Sequence, residues 1–214
     1  RAVAVDFPGH GRSEGPALDS IEAIADWVAR LAGALDGPAH LVGHSMGAFV
    51  ALDTAARHPG AVASAVLLGV AATMPVHPEL QAAADIDDPK AAALIAAWAH
   101  GPRQHIGLNP TPGLWMLGGV TALLETSPPG VLATDLAACA AYGGATSSAA
   151  SVACPVTLVL GSQDRMSPRK SARALEDALA SPPTVVELAT SGHMLMLEEP
   201  EAVVHQRLVK QQQE

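Results

Sequence analysis

Ser45 stands between two glycines in Leu41-Val42-Gly43-His44-Ser45-Met46-Gly47-Ala48, where an apolar run of strand character meets an apolar run of helical character. A serine at such a junction occupies a sharp turn that lifts its hydroxyl clear of the backbone, and side chains at Gly43 and Gly47 are expected to collide with the incoming strand or the outgoing helix. A hydroxyl is a poor nucleophile until a base takes its proton, and that base needs a group to orient it. Both follow in the chain. Residues 156–160 form a β-type run ending in Gly161-Ser162-Gln163-Asp164, and residues 184–188 lead into Ser191-Gly192-His193-Met194. Asp164 and His193 thus fall just past the carboxyl ends of two expected strands, where open α/β sheets build their sites. The order predicts Ser45 Oγ within hydrogen-bond reach of His193 Nε2, with Asp164 on the other ring nitrogen. The five-residue motif alone also fits an ordinary strand-to-helix turn with a serine cap.

The elements that must position these residues alternate. Residues 2–6 and 62–70 read as further strands. Asp19 and Glu22 bracket a capping box, after which Ile21, Ile24, Val28, Leu31 and Leu35 recur at helical spacing. Ser167 and Pro168 suit the start of a helix to about residue 179, and residues 199–212 suit a closing helix. Strands alternating with helices predict an α/β fold with a mostly parallel, doubly wound sheet. Between residues 73 and 150 the alternation stops. That stretch is rich in Ala, Pro and Gly, has helical patches such as residues 90–100, and reads as a helical cap inserted into a core of residues 1–72 and 151–214.

These motifs resemble the α/β-hydrolase superfamily, in its capped, esterase-like serine hydrolase form. The resemblance rests on Asp6-Phe7-Pro8-Gly9-His10-Gly11-Arg12-Ser13, the Gly-His-Ser-Met-Gly elbow, the turn from Gly161 to Asp164 and the Gly192-His193 loop. It implies Ser45 as nucleophile, His193 as general base, Asp164 as the acid that orients it, and the Met46 N–H as one oxyanion donor. Members of the family normally begin with three more strands and a loop that supplies the second oxyanion donor. The chain therefore reads as lacking the N-terminal strands, with residues 2–6 and 40–43 deprived of the strand that would join them. The resemblance implies cleavage of a small ester by acyl transfer to water. A carbon–carbon bond hydrolase of the ring-cleavage type shares the triad and layout, whereas the dehalogenase and epoxide hydrolase branches carry an aspartate at the elbow. A binding protein that keeps the fold and holds a small ligand under the cap is the non-catalytic alternative.

Composition narrows the partners. The chain has 214 residues, enough for one sizeable core. A net charge of −9 disfavours nucleic acid and anionic membranes, both of which select clustered Lys and Arg. No stretch is apolar for long enough to span a bilayer, so a cytoplasmic protein acting on a small molecule is the expectation, with a leader upstream of Arg1 left open. No cofactor or metal is expected. Cys139 and Cys154 lack metal or redox spacing and read as ordinary thiols rather than a disulfide. Residues 85–89, Asp-Ile-Asp-Asp-Pro, read as a solvated turn rather than a metal loop. His44, Trp98, Trp115 and Met194 are candidates for lining a substrate pocket, and residues 112–117 with Trp98 could equally be packing between cap and core.

Overall fold

The structure, a computed structural model, describes residues 2–111 and 113–208. Four parallel strands, β1 (Ala39–His44), β2 (Val62–Leu68), β3 (Val156–Gly161) and β4 (Thr184–Leu188), form one sheet in the order β1-β2-β3-β4. The register aligns His44 with Leu68, Leu68 with Val159, and Val159 with Val186, so the turns that follow all four strands open on one edge. Residues 2–6 form no strand. Val3 and Val5 stay 50% and 40% exposed, because no neighbouring backbone in the described chain pairs with this apolar run. The second strand stops two residues short of Val70, at the point where Gly69 adopts φ +57°.

Helices cover both faces of the sheet. Helices α1 (Ile21–Gly33), α2 (Met46–Arg57) and α9 (Arg169–Ala178) bury Ile21, Ile24, Phe49, Leu52, Ala172 and Leu175 with Ala65, Leu67, Leu158 and Leu160 of the sheet. The intervening strand residues Val66, Leu68, Val159 and Val186 point the other way, onto Leu195 of α10 (Leu195–Glu198) and Ala202 and Val203 of α11 (Pro200–Leu208). This is the two-residue period of a sheet buried on both sides. The α1 N-cap is Ser20, whose hydroxyl accepts from Ala23 N at 3.3 Å, rather than the expected Asp19. Ser167 does not cap α9, which starts after Pro168 with no side-chain cap. The part of the expected closing helix beyond residue 208 lies outside the described residues.

Between β2 and β3 the described chain is helical, in α3 (Pro78–Ala84), α4 (Lys90–Ala99), α5 (Pro102–His105), α6 (Met116–Glu125), α7 (Val131–Ala141) and α8 (Ala145–Ser151). Helices α3, α4 and α7 share a small apolar cluster of their own, built on Leu80, Ala83, Ala84 and Ala91. The carboxylates of residues 85–88 are used locally: Asp85 accepts from Gln81 Nε2, Asp87 from Gly130 N and Asp88 from Lys90 N. Cys139 and Cys154 are free thiols, and burial, then Asp135, pushes the Cys139 thiol up to about 12.

Tyr142, Ala145 and Ala149 instead join the main core, where a polar knot ties α8 to α2. Asp53 is 2% exposed and accepts from Arg57 Nε at 2.6 Å, Tyr142 Oη at 3.0 Å and Ser148 Oγ at 3.0 Å. A buried carboxylate is tolerated only while such donors surround it. Replacing Tyr142 by Phe removes one donor and leaves the ring in place. Urea denaturation should show a loss of about 1–2 kcal/mol with an unchanged m-value; no loss would mean the knot carries no stability.

Candidate active site

The turn after β1 has the strained geometry that the motif predicts. Ser45 lies at φ +53°, ψ −118°, a conformation that non-glycine residues rarely adopt. Its N–H donates to Leu68 O at 3.0 Å, which ties the turn to the end of β2, while its carbonyl accepts from Ala48 N at 2.8 Å and starts α2. A Cβ on Gly43 would sit 2.0 Å from Gly47 O, so glycine there is a steric necessity. The expected crowding at Gly47 is absent: a Cβ on that residue would meet nothing within 4 Å, because the close approach is one-sided and falls on the strand. Met46 is the first residue of α2, where a backbone N–H has no intrahelical acceptor and is free to hold an anionic oxygen.

The turns after β3 and β4 bring Asp164 and His193 together. Asp164 Oδ1 accepts from Met166 N and Ser167 N, both at 2.8 Å, and Asp164 Oδ2 accepts from His193 Nδ1 at 2.8 Å. Asp164 and His193 are 6% and 3% exposed. Burial by itself would raise the Asp164 carboxyl, but the hydrogen bond and charge of His193 and the two backbone donors outweigh it and hold the group below the usual aspartate value. An imidazole that donates Nδ1–H to a carboxylate presents its other nitrogen, Nε2, as the site for proton exchange. That Nε2 is buried and has no hydrogen-bond partner among the described residues, so the expected bond to Ser45 is not closed. Gly69 leaves space for the ring, and Gly161 for the backbone of the loop that carries it. A Cβ on Gly69 would lie 3.0 Å from His193 Nδ1, and one on Gly161 would lie 2.3 Å from Gly192 O.

His44 braces the histidine loop. Its Nε2 donates to His193 O at 2.8 Å, and the two rings lie 4.6 Å apart. Burial, followed by the nearby charge of His193, lowers the His44 pKa to about 3, so this ring stays neutral at ordinary pH. Of the other pocket candidates, Met194 is half-buried beside His193 and its N–H donates to Ala99 O at 3.2 Å. Trp98 packs edge-on against His77 inside the α3–α4 cluster, and Trp115 is 74% exposed with its ring over Gly118. The structure therefore brings Ser45, Met46, Asp164, His193, His44 and Met194 to one edge of the sheet, and leaves the two tryptophans in packing or exposed positions.

Three supporting residues escape the motif reading. Ser167 holds Asp164 through its backbone, Gly69 makes room for the imidazole, and Glu198, 2% exposed, accepts from the N–H of Gly192. Gly69 announces itself only as a glycine ending a strand; Glu198 gives no local signal. The glycine-rich loop after residue 6 reaches α7, where His10 Nε2 pairs with Asp135 Oδ2 at 2.7 Å. Surface hollows of about 290 Å³ beside Asp26 and His58, and about 500 Å³ between Gly9 and Thr134, lie away from His193.

The sequence model of the alpha/beta hydrolase family matches residues 1–206. The chain belongs to that family. A pimeloyl-[acyl-carrier protein] methyl ester esterase of Methylococcus capsulatus is 48% identical over 68 residues, 32% of this chain and 26% of that protein. A Variovorax paradoxus protein named for carbamate hydrolysis, RutD, is 36% identical over 122 residues, 54% of this chain and 42% of that protein. The chain thus spans about a quarter to two fifths of the length of these curated relatives. The crystal structure of an enol-lactonase from Burkholderia xenovorans superposes with a TM-score of 0.82 at 22% identity, covering 95% of this chain and 77% of that one, which shows the shared fold.

Two stability effects follow from these contacts. The positive φ at Ser45 costs about 1–3 kcal/mol in a non-glycine residue. Ser45→Gly should therefore gain about 1 kcal/mol in chemical denaturation; a loss would show that the turn is not strained. For His44, the unfolded ring takes its proton near 6.5 and the folded one near 3. Between those values the unfolded chain binds more protons, so this group's contribution to stability is intact above about pH 6.5 and falls as the pH drops toward 3. His44→Gln keeps an N–H donor in place of Nε2 without the titration. From pH 7 to pH 5 it should lose roughly 2 kcal/mol less stability than the parent, and equal losses would contradict the burial of a neutral His44.

Proposed function

We propose that this chain is a serine hydrolase that cleaves a small ester by two-step acyl transfer to water, with residues 73–150 capping a core of residues 1–72 and 151–214. The observation that carries the reading is the setting of His193: its Nδ1–H donates to Asp164, and its Nε2 is buried without a partner among the described residues, on the edge of the sheet where Ser45 stands. A buried imidazole oriented by a carboxylate on one nitrogen and unsatisfied on the other is poised to accept a proton.

In this reading His193 Nε2 accepts the Ser45 hydroxyl proton as Oγ attacks the ester carbonyl carbon. The carbonyl π electrons move to oxygen, and the Met46 N–H donates to the oxyanion. Collapse of the adduct expels the alcohol, which takes the proton from His193. Water then attacks the acyl-serine with His193 again as base, and releases the acid and free Ser45. Asp164 stays ionised throughout and stabilises the imidazolium. The names of the two curated relatives, an ester hydrolase and a carbamate hydrolase, support a carbonyl substrate with an oxygen or nitrogen leaving group. The formal charge of −9 supports a small molecule, rather than nucleic acid or an anionic membrane, as partner.

Steady-state hydrolysis of p-nitrophenyl acetate tests the assignment. Ser45→Ala should lower kcat/KM by at least about 10³-fold, and Asp164→Asn should lower kcat by a comparable order, both with unchanged circular dichroism. A Ser45→Ala protein as active as the parent would overturn the reading.

A further inference from the structure

We propose that Glu198 is a positioning residue for the chemistry at Ser45: one buried carboxylate clamps the His193 loop to the α4–α5 junction of the cap, so that the seat of the cap sets the place of the imidazole. The proposal rests on the reading of Ser45 and His193 given above. Glu198 closes α10 and is 2% exposed. Its Oε2 accepts from Gly192 N at 2.8 Å and from Gly101 N at 3.3 Å, and Oε1 also approaches Gly101 N at 3.4 Å. The Gln104 amide, with its nitrogen turned toward the carboxylate, donates to Glu198 Oε2 and to Gly101 O at 3.0 Å each. No lysine or arginine among the described residues pairs with Glu198. A carboxylate without a counter-charge is costly in a buried place unless donors converge on it. Here the donors come from two separate segments, and one of them, Gly192, immediately precedes His193.

A second set of bonds crosses the same junction in the opposite sense. His193 N and Met194 N both donate to Ala99 O, at 2.7 and 3.2 Å. Residues 99–101 and 192–194 are thereby laced together, by the His193 and Met194 amides on Ala99 O and by the Gly192 and Gly101 amides on Glu198. The approach is close enough to exclude side chains: a Cβ on Gly192 would lie 2.4 Å from Gly101 N and 2.8 Å from Ala99 O. A displacement of the α4–α5 junction therefore drags the His193 backbone with it. The ring has a second hold in Asp164, so a small error in the loop shows as a misaligned Nε2 rather than as a lost histidine.

Two variants probe the clamp from its two sides. Glu198→Gln keeps the volume but turns an N–H₂ toward one of the glycine amides. Gly101→Ala leaves the carboxylate intact and adds a Cβ 3.0 Å from Glu198 Oε2 and 3.2 Å from Gly192 N, at a φ of −68° that alanine accepts. Each should lower kcat for p-nitrophenyl acetate by about ten- to a hundredfold, with KM within about twofold, because base alignment matters in the transition state and not in binding. Each should also shift or broaden the downfield Nδ1–H proton resonance of His193. Tyr142→Phe, which weakens the fold elsewhere, should leave both readouts as in the parent. Parent-like kcat and an unmoved His193 resonance in Glu198→Gln and Gly101→Ala would overturn the proposal, as would a loss confined to KM. If Glu198→Gln does not fold, Gly101→Ala decides. If the parent hydrolyses no ester, the assignment of Ser45 fails, and the His193 resonance alone still shows whether Glu198 sets the ring.

Discussion

The site depends on one hydrogen bond, from His193 Nδ1 to Asp164 Oδ2, made where both residues are almost fully buried. In that setting a carboxylate is stable only while donors satisfy it, and an imidazole keeps a defined tautomer only while a partner fixes one nitrogen. Three donors meet Asp164, and His193 Nε2 is left without a hydrogen-bond partner among the described residues. The rest of the edge serves this arrangement. Gly69 yields the ring its volume, Gly161 lets the histidine loop approach β3, and His44 holds the His193 carbonyl while remaining neutral itself.

The serine side stores a different kind of cost. A φ of +53° is poor for any residue with a Cβ, and the turn is held by Ser45 N to Leu68 O and by the first bonds of α2. The parallel register sets where the strained turn emerges. Because the ends of β1, β2 and β3 are aligned, the turn of Ser45, the residue Gly69 and the loop carrying Asp164 emerge side by side, within one or two strand spacings of each other. The sheet is thus a ruler, and the strained turn is the point at which the ruler is read.

Much of this was legible in the sequence, and the parts that were not share a cause. The turns that carry Ser45, Asp164 and His193 are legible because each sits in a short local pattern, an apolar strand followed by a turn, in the order of the α/β-hydrolase motifs. Residues 2–6 have a strand-like pattern but form no strand, since alternation reports a preference and not the presence of a neighbour. The α1 cap falls on Ser20, one residue past Asp19, and of the two elbow glycines only Gly43 is crowded. Trp115 was a pocket candidate from its composition, yet it lies exposed over Gly118. Glu198 and Ser167 could not be found at all from periodicity. Glu198 acts on Gly101, 97 positions away, and Ser167 acts through its backbone N–H, which every residue but proline carries.

The most direct measurement is a crystal structure of the protein after reaction with a small alkyl phosphonate ester, whose tetrahedral phosphorus imitates the adduct of acyl transfer. The account predicts a covalent bond from Ser45 Oγ to phosphorus, the phosphoryl oxygen within about 3 Å of Met46 N, and His193 Nε2 turned to hydrogen-bond with the oxygen at Ser45 or the leaving-group position, with its Nδ1 still on Asp164. An unmodified Ser45 alongside phosphonate bound elsewhere, or an adduct with His193 Nε2 pointing away from it, would contradict the account.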